Sequence, residues 1–408
     1  MARAIALHDK EAARLFGRLE AFIGRDRIKG RLAGIARELQ HERRNPIYRD
    51  NWVLPNRAWW SGLAAGLDKV ERIGSLRGEI TPIMVTPLIT AAHINALFGT
   101  MSTYKREEFA TRILAADNLT PVLVELLIAA QFRQEGYEIV WSEVGSPNAR
   151  VAPEFIAQRK EIAIEVECKT KSADAGRKIL RKRFYRLSDA ILTKLDTHAL
   201  YGSVDMVIKD SFPLKPEWTN EVLSCIPNVP LNVEITLEDD SQVKINVRQK
   251  DGKTLEAKEF IESSRRDIGE SANFALAGDR DAENVRNPTR FSLQSMSQDK
   301  FLKAVNGDIK KANSQLSGVN PGAIFCFLPE IQTFAGLGDN SGLALMTHGF
   351  LKHAKPSVSA VIFFSDHHYI SEQEKYSGNA PAIFYFNPGY EKNLGDCEGL
   401  LREILNQT

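Results

Sequence analysis

The sequence predicts an α/β protein: a central mixed sheet flanked by helices, with a helical N-terminal region and a β-rich insertion. Three observations predict it. Residues 323–328, 358–364 and 382–386 are near-continuous apolar runs, as expected of strands covered on both faces. Residues 121–135 carry a broad apolar face at helical spacing, directly ahead of strand-like segments. Residues 231–237 and 242–247 are short β-type runs around the acidic turn Glu238-Asp239-Asp240, set apart in composition from what precedes and follows.

The elements follow in order. Residues 1–115 read as mostly helical, with Ala12, Leu15, Leu19 and Phe22 at helical spacing and Ile35 and Leu39 in a second helix. Asn45-Pro46 and Leu54-Pro55 break the pattern. Trp52, Trp59 and Trp60 cluster and read as a core anchor; the competing reading is a base-stacking surface, which needs exposed rings. Residues 80–97 are apolar, but Pro82 and Pro87 argue against a uniform helix. Thr120-Pro121 looks like an N-cap followed by proline at the first helical position. Val122, Leu123, Leu126, Leu127 and Ala130 then form the apolar face, and Gly136 supplies a stop. Strands are expected at 137–144, 151–157 and 161–169, with turns at Ser146-Pro147-Asn148 and Gln158-Arg159-Lys160. A long basic helix is expected at 175–199, a loose polar connection at 267–290, a helix at 301–316 and a loop at 336–342.

Composition narrows the function classes. The chain has 408 residues, 43% hydrophobic and 26% charged, which excludes collagen, a long coiled coil and global disorder. A net charge of +1 means that any nucleic-acid or membrane role must come from a local patch. Cys168, Cys225, Cys326 and Cys397 are far apart, which argues against a thiolate zinc site and a disulfide framework and favours the cytoplasm. Arg3, His8, Asp9, Lys10 and Glu11 leave no room for a secretory signal, and no membrane-spanning helix is expected. No Walker loop, G-x-S-x-G elbow or dinucleotide-binding glycine pattern is present.

The chemistry concentrates in residues 151–170. Strand side chains alternate, so Ile162, Ile164, Val166 and Cys168 share one face while Ala163, Glu165, Glu167 and Lys169 share the other. Two carboxylates and an ammonium on one strand face are costly if that face is buried and dry. The arrangement makes sense beside a divalent cation such as Mg²⁺, which takes oxygen ligands. Glu154, across a short turn, can bring a third carboxylate to the same end.

Pro153-Glu154, followed thirteen residues later by Glu167-Cys168-Lys169, resembles the PD-(D/E)XK nucleases, with glutamate where that family usually has aspartate. The resemblance covers about residues 117–199 and extends to 300–387. It implies a restriction endonuclease-like core and a Mg²⁺- or Mn²⁺-dependent endodeoxyribonuclease. Glu154 and Glu167 would then hold the metal, Lys169 would act on the attacking water and the transition state, and Glu125 on the leading helix would be a secondary ligand. Glu165 could assist from the same face. The expected division is 1–115 helical, 116–199 first part of the nuclease-like core, 200–298 insertion and linker, and 299–408 second part. DNA is the expected partner; a homodimer, or partner proteins of a defence or repair system, are compatible. The alternative is a non-catalytic nucleic-acid-binding or protein-interaction module on a degenerate nuclease fold.

Lys178, Arg181, Lys182 and Arg186 fall near one face of the expected basic helix and could meet backbone phosphates. Asp366-His367-His368 reads more simply as a polar loop than as a metal site.

Overall fold

The computed structural model describes residues 9–41, 48–49, 55–73, 80–115, 119–142, 152–171, 175–211, 215–268, 273–281, 283–298, 300–328, 342–365, 382–388 and 401. Among them the chain forms eleven helices and two mixed sheets. In order these are α1 (Asp9–Ile23), α2 (Arg25–His41), β1 (Tyr48–Arg49), α3 (Pro55–Ile73), α4 (Pro82–Leu97), α5 (Thr103–Ala115), α6 (Thr120–Gln134), β2 (Glu138–Trp141), β3 (Phe155–Arg159) and β4 (Ile162–Thr170). There follow α7 (Arg181–Thr197), β5 (Leu200–Ile208), α8 (Pro216–Cys225), β6 (Leu231–Thr236), β7 (Gln242–Gln249), β8 (Thr254–Glu256), α9 (Ala257–Ile268), β9 (Asn273–Asp281) and β10 (Asn284–Ser295). The chain continues with α10 (Phe301–Gln315), β11 (Gly322–Phe327), α11 (Gly342–Leu351), β12 (Val358–Phe364) and β13 (Ala382–Phe386). The chain divides into two compact units: 1–37, 53–175 and 302–408 in the first, 38–52 and 176–301 in the second.

The first unit is built on a sheet of order β13-β12-β11-β4-β3-β2. β2, β3 and β4 form an antiparallel meander, and β11 then pairs parallel to β4, with Glu167 opposite Ile324. A parallel pair needs a crossover, and α10 supplies it. Every residue of β11 and β12 is buried, as their apolar runs predict. Ile164, Val166 and Cys168 of β4 join Leu126, Ala129 and Phe132 of α6 in one apolar cluster, while the opposite face of β4 meets α10. The same cluster includes Phe16, Trp59, Leu63 and Leu88, so the N-terminal helices and the sheet share a core rather than forming separate bodies.

Pro82 and Pro87 do not break α4, contrary to expectation. Pro82 sits in its first turn, where the missing N–H costs nothing. Pro87 leaves the carbonyl of Ile83 without its helical donor, and that carbonyl lies against Gly62 of α3, where an added Cβ would come within 1.9 Å of the oxygen. With the turn that follows it, α4 is also long and apolar enough to cross a membrane, which the sequence reading did not expect; Met84, Leu88, Ala91, Ile94 and Leu97 pack into the core. Trp59 and Trp60 are buried edge to face at 5.0 Å, with Trp59 donating to Thr90, which excludes both as a stacking surface. Trp52, Asn45-Pro46, Leu54, Ser146-Pro147-Asn148, residues 336–341, Asp366, His367, His368 and Cys397 lie outside the described residues.

The second unit holds the other sheet, of order β1-β9-β10-β5-β7-β6, with β8 on β10. Two expectations are corrected here. The basic helix, observed as α7, belongs to this unit and not to the first part of the core, so the boundary expected after residue 199 falls after Ala175. Its apolar residues decide this: Phe184, Leu187, Ile191 and Leu195 pack on the sheet, with Phe184 stacked on Phe291 at 5.4 Å. Residues 267–290 are not a loose connection but contain β9 and the start of β10: Phe274, Ala275, Leu276 and Ala277 form a buried apolar run, and Val285 is buried between Asn284 and Arg286. The 176–301 stretch of the unit begins and ends at adjoining backbone: Lys300 N–H donates to Gly176 C=O at 2.7 Å. Gly176 has φ +72°, and a Cβ there would lie 2.5 Å from the Lys300 carbonyl carbon.

Candidate active site

Strand alternation places Glu165, Glu167 and Lys169 on the α10 face of β4, as the sequence implies. The two carboxylates meet different fates. Glu165 is saturated at the end of α10: it accepts from the N–H of Ser317 at 2.6 Å, from the Ser317 hydroxyl, and from the N–H and Nδ2 of Asn320 at 3.4 Å. It fixes a turn. Glu167 is fully buried, with one oxygen accepting from Lys169 Nζ and the other from the backbone N–H of Glu154 at 3.1 Å. Lys169 also donates to Gln315 Oε1 at 2.7 Å, so the last residue of α10 holds the ammonium over the strand. Lys171 and Asp308, 2.6 Å apart, pin the same helix two residues on.

Glu154 immediately precedes β3. Among the described residues its carboxylate has no hydrogen-bond donor, and burial, then the charges of Glu125 and Glu167, push its pKa up to about 8, against the pull of Arg112 and Lys169. Burial raises Glu167 as well, opposed by Lys169. Burial works against the charge of Lys169, but Glu167 outweighs it and holds the ammonium protonated.

Glu125 lies in α6 as expected and is buried, but it is not a free ligand. Both its oxygens are taken by Arg112 of α5, at 2.7 and 2.5 Å. Behind Arg112 stands Glu108 at 3.3 Å, and behind Glu108 the buried Lys105 at 3.1 Å. Neither Arg112 nor Gln315 was marked by the sequence. Both lie outside the motif, and a lone arginine or glutamine in a helix carries no signal of what it faces.

The donors present fit a hard cation. Glu154 and Glu167 offer carboxylate oxygens from the start of β3 and from β4, and the negative charges of Glu125 and Glu167 act on Glu154. Among the described residues no group of three or more His, Cys, Asp and Glu side chains is drawn together to hold a metal. The fit is therefore to an ion held by two carboxylates, the rest of its shell coming from water or substrate.

The expected phosphate-binding residues belong to the second unit. Lys178 precedes the first turn of α7 and pairs with Asp210, so it does not share a helical face with the others. Arg181 is half-buried and Arg186 exposed; the side chain of Lys182 lies outside the described residues.

No family model, curated protein or solved structure matches the chain.

Proposed function

We propose that the chain is a metal-dependent nuclease that hydrolyses phosphodiester bonds in DNA, built on a restriction endonuclease-like core. The observation that carries this reading is the Glu154–Glu167–Lys169 cluster, Glu167 buried and the other two half-buried, where the start of β3 meets the end of β4, in a sheet where β11 and β12 bury every residue. The order α6, then the β2-β3-β4 meander, then α10 and a parallel β11 supports the core assignment, with the second unit as an insertion between β4 and α10.

Glu154 and Glu167 would hold Mg²⁺ or Mn²⁺. Such an ion, when bound, lowers the pKa of water and polarises a phosphoryl oxygen. Lys169, kept protonated by Glu167 and aimed by Gln315, would orient the attacking water and offset charge gathering on the phosphoryl oxygens. The cytoplasm is the proposed location.

The test is nicking of supercoiled plasmid by the purified full chain with Mg²⁺, with Mn²⁺ and with EDTA. Metal-dependent nicking abolished by Glu167→Gln is the expected result; a folded protein inert with both metals overturns the reading. One observation favours the second reading, a non-catalytic module on a degenerate nuclease fold. The third carboxylate, Glu125, is already neutralised by Arg112.

A further inference from the structure

We infer that Arg112 is a positioning residue that sets the composition of the cation site: it keeps Glu125 out of the ligand set, leaving Glu154 and Glu167 to hold the ion. This rests on the metal-site part of the proposed function, though not on cleavage. Three observations carry it.

The first is geometric. The guanidinium meets Glu125 fork to fork, Nη1 to Oε2 at 2.7 Å and Nη2 to Oε1 at 2.5 Å. Such bidentate pairs are the strong, directional form of the charge-assisted hydrogen bond. A carboxylate with both oxygens engaged this way cannot turn to a cation without first breaking the pair.

The second is that the clamp is itself braced. Arg112 Nη1 also reaches Glu108 at 3.3 Å, and Glu108 takes Lys105 Nζ at 3.1 and 3.2 Å. Lys105 is buried between the rings of Phe109 and Trp141, 5.1 and 5.5 Å from their centres. Its ammonium donates to the carbonyl of Ser142 at 3.4 Å, and the N–H of Ser142 donates to the carbonyl of Glu154 at 3.2 Å. The alternating row Lys105, Glu108, Arg112, Glu125 therefore runs from the backbone beside one proposed ligand to the carboxylate it withholds. An isolated surface ion pair would need no such support.

The third is electrostatic. The charge of Glu125 raises the proton affinity of both Glu154 and Glu167, so left bare it would repel the two proposed ligands. Arg112 cancels that charge. Its removal should release a ligand, not merely a structural contact.

The experiment is Mn²⁺ binding to the metal-free full chain, by isothermal titration and by the electron paramagnetic resonance signal of free Mn²⁺. Affinity for such ions follows ligand charge and number, so Arg112→Gln should tighten Mn²⁺ by about tenfold or add a second ion. The double variant Arg112→Gln, Glu125→Gln removes both charges and keeps a neutral hydrogen-bonded pair. It should bind Mn²⁺ within about threefold of the wild type, because the ligand number is unchanged. Arg112→Lys, which cannot form the fork, should fall between wild type and Arg112→Gln. The inference is overturned if Arg112→Gln weakens binding, or if the double variant loses about tenfold or more, since Glu125 would then be a ligand that Arg112 orients. If Arg112→Gln does not fold, the double and lysine variants decide. Absence of Mn²⁺ binding in every variant also overturns it. Binding as expected without plasmid nicking would sink the nuclease reading and leave this one standing.

Discussion

β7 of the second sheet and β4 of the first handle charge in opposite ways. In the second, β7 alternates buried Val243, Ile245 and Val247 with exposed Lys244, Asn246 and Arg248, so every charge on that strand meets water. In the first, β11 and β12 are buried throughout, and β4 carries Glu165 and Glu167 inside with Lys169 half-buried beside them. A solvated charge costs a protein little; a buried one must be paired, hydrogen-bonded or neutralised. The charges of β7 therefore say nothing about function, whereas those of β4 need a reason. Glu165 finds its reason in the turn after α10. Glu154 accepts no hydrogen bond among the described residues, which sets it apart from Glu165, and Glu167 shares one oxygen with the ammonium of Lys169.

The strongest way to test the contrast is to remove the ammonium from the covered face. Lys169→Ala should lower metal-dependent cleavage by about 10²–10³-fold, the usual loss for a donor aimed at transition-state charge. Affinity for DNA should stay within about twofold, since one cation among many contributes little to phosphate binding. Equal loss of binding and cleavage would move Lys169 from the chemistry to the binding surface.

The next effect is on stability in EDTA. A carboxyl raised in the folded protein to about 8, from an ordinary value of 4.5, favours the folded state while it keeps its proton. That contribution is complete below pH 4.5 and is lost as pH rises towards and through 8. Thermal melts between these limits should fall by several degrees for the wild type and less for Glu154→Gln. Parallel curves would show that Glu154 is not buried against like charge.

Glu165→Ala tests the structural carboxylate. It strips the acceptor from the N–H groups of Ser317 and Asn320 and should cost about 1–3 kcal/mol in denaturant unfolding. A larger loss of Mn²⁺ affinity than of stability would place Glu165 in the site after all.

The smallest effect belongs to the exposed charges of the second unit. If Arg186 meets a phosphate, Arg186→Ala should reduce the log–log salt slope for duplex DNA by about 0.9. Lys178→Ala, whose ammonium is already paired with Asp210, should change that slope far less. The reverse order would mean that the Lys178 pair opens on DNA.

The sequence made β4 legible because period-two alternation is a local rule, and Glu165, Glu167 and Lys169 share a face as that rule requires. The runs at 323–328 and 358–364 were legible as strands buried on both faces, whereas β13, at the end of the sheet order, is half-buried except at Tyr385. Which helix closes the crossover was not. α7 and α10 both follow β4, and only their packing partners tell them apart. Nor could sequence show that Glu125 is claimed by Arg112, thirteen residues away, or Lys169 by Gln315, 146 residues away. Those pairings depend on long-range folding, which no spacing rule encodes.

The hydrogen bond between Lys300 and Gly176 bears on how the chain reaches this fold. β4 and β11 are far apart in sequence, and a long flexible loop between them would slow their pairing by the entropy of closing it. Once the second unit has folded with its ends side by side, that loop is short-circuited, and β11 meets β4 as if only α10 lay between them. Order of assembly then matters: a lesion in β5 or β10 should delay completion of the first sheet, seen as a slower refolding phase, although it touches none of that sheet's strands. Gly176 gives a second test of that order, since a side chain there would meet the backbone of Lys300 and push the two ends of the 176–301 stretch apart.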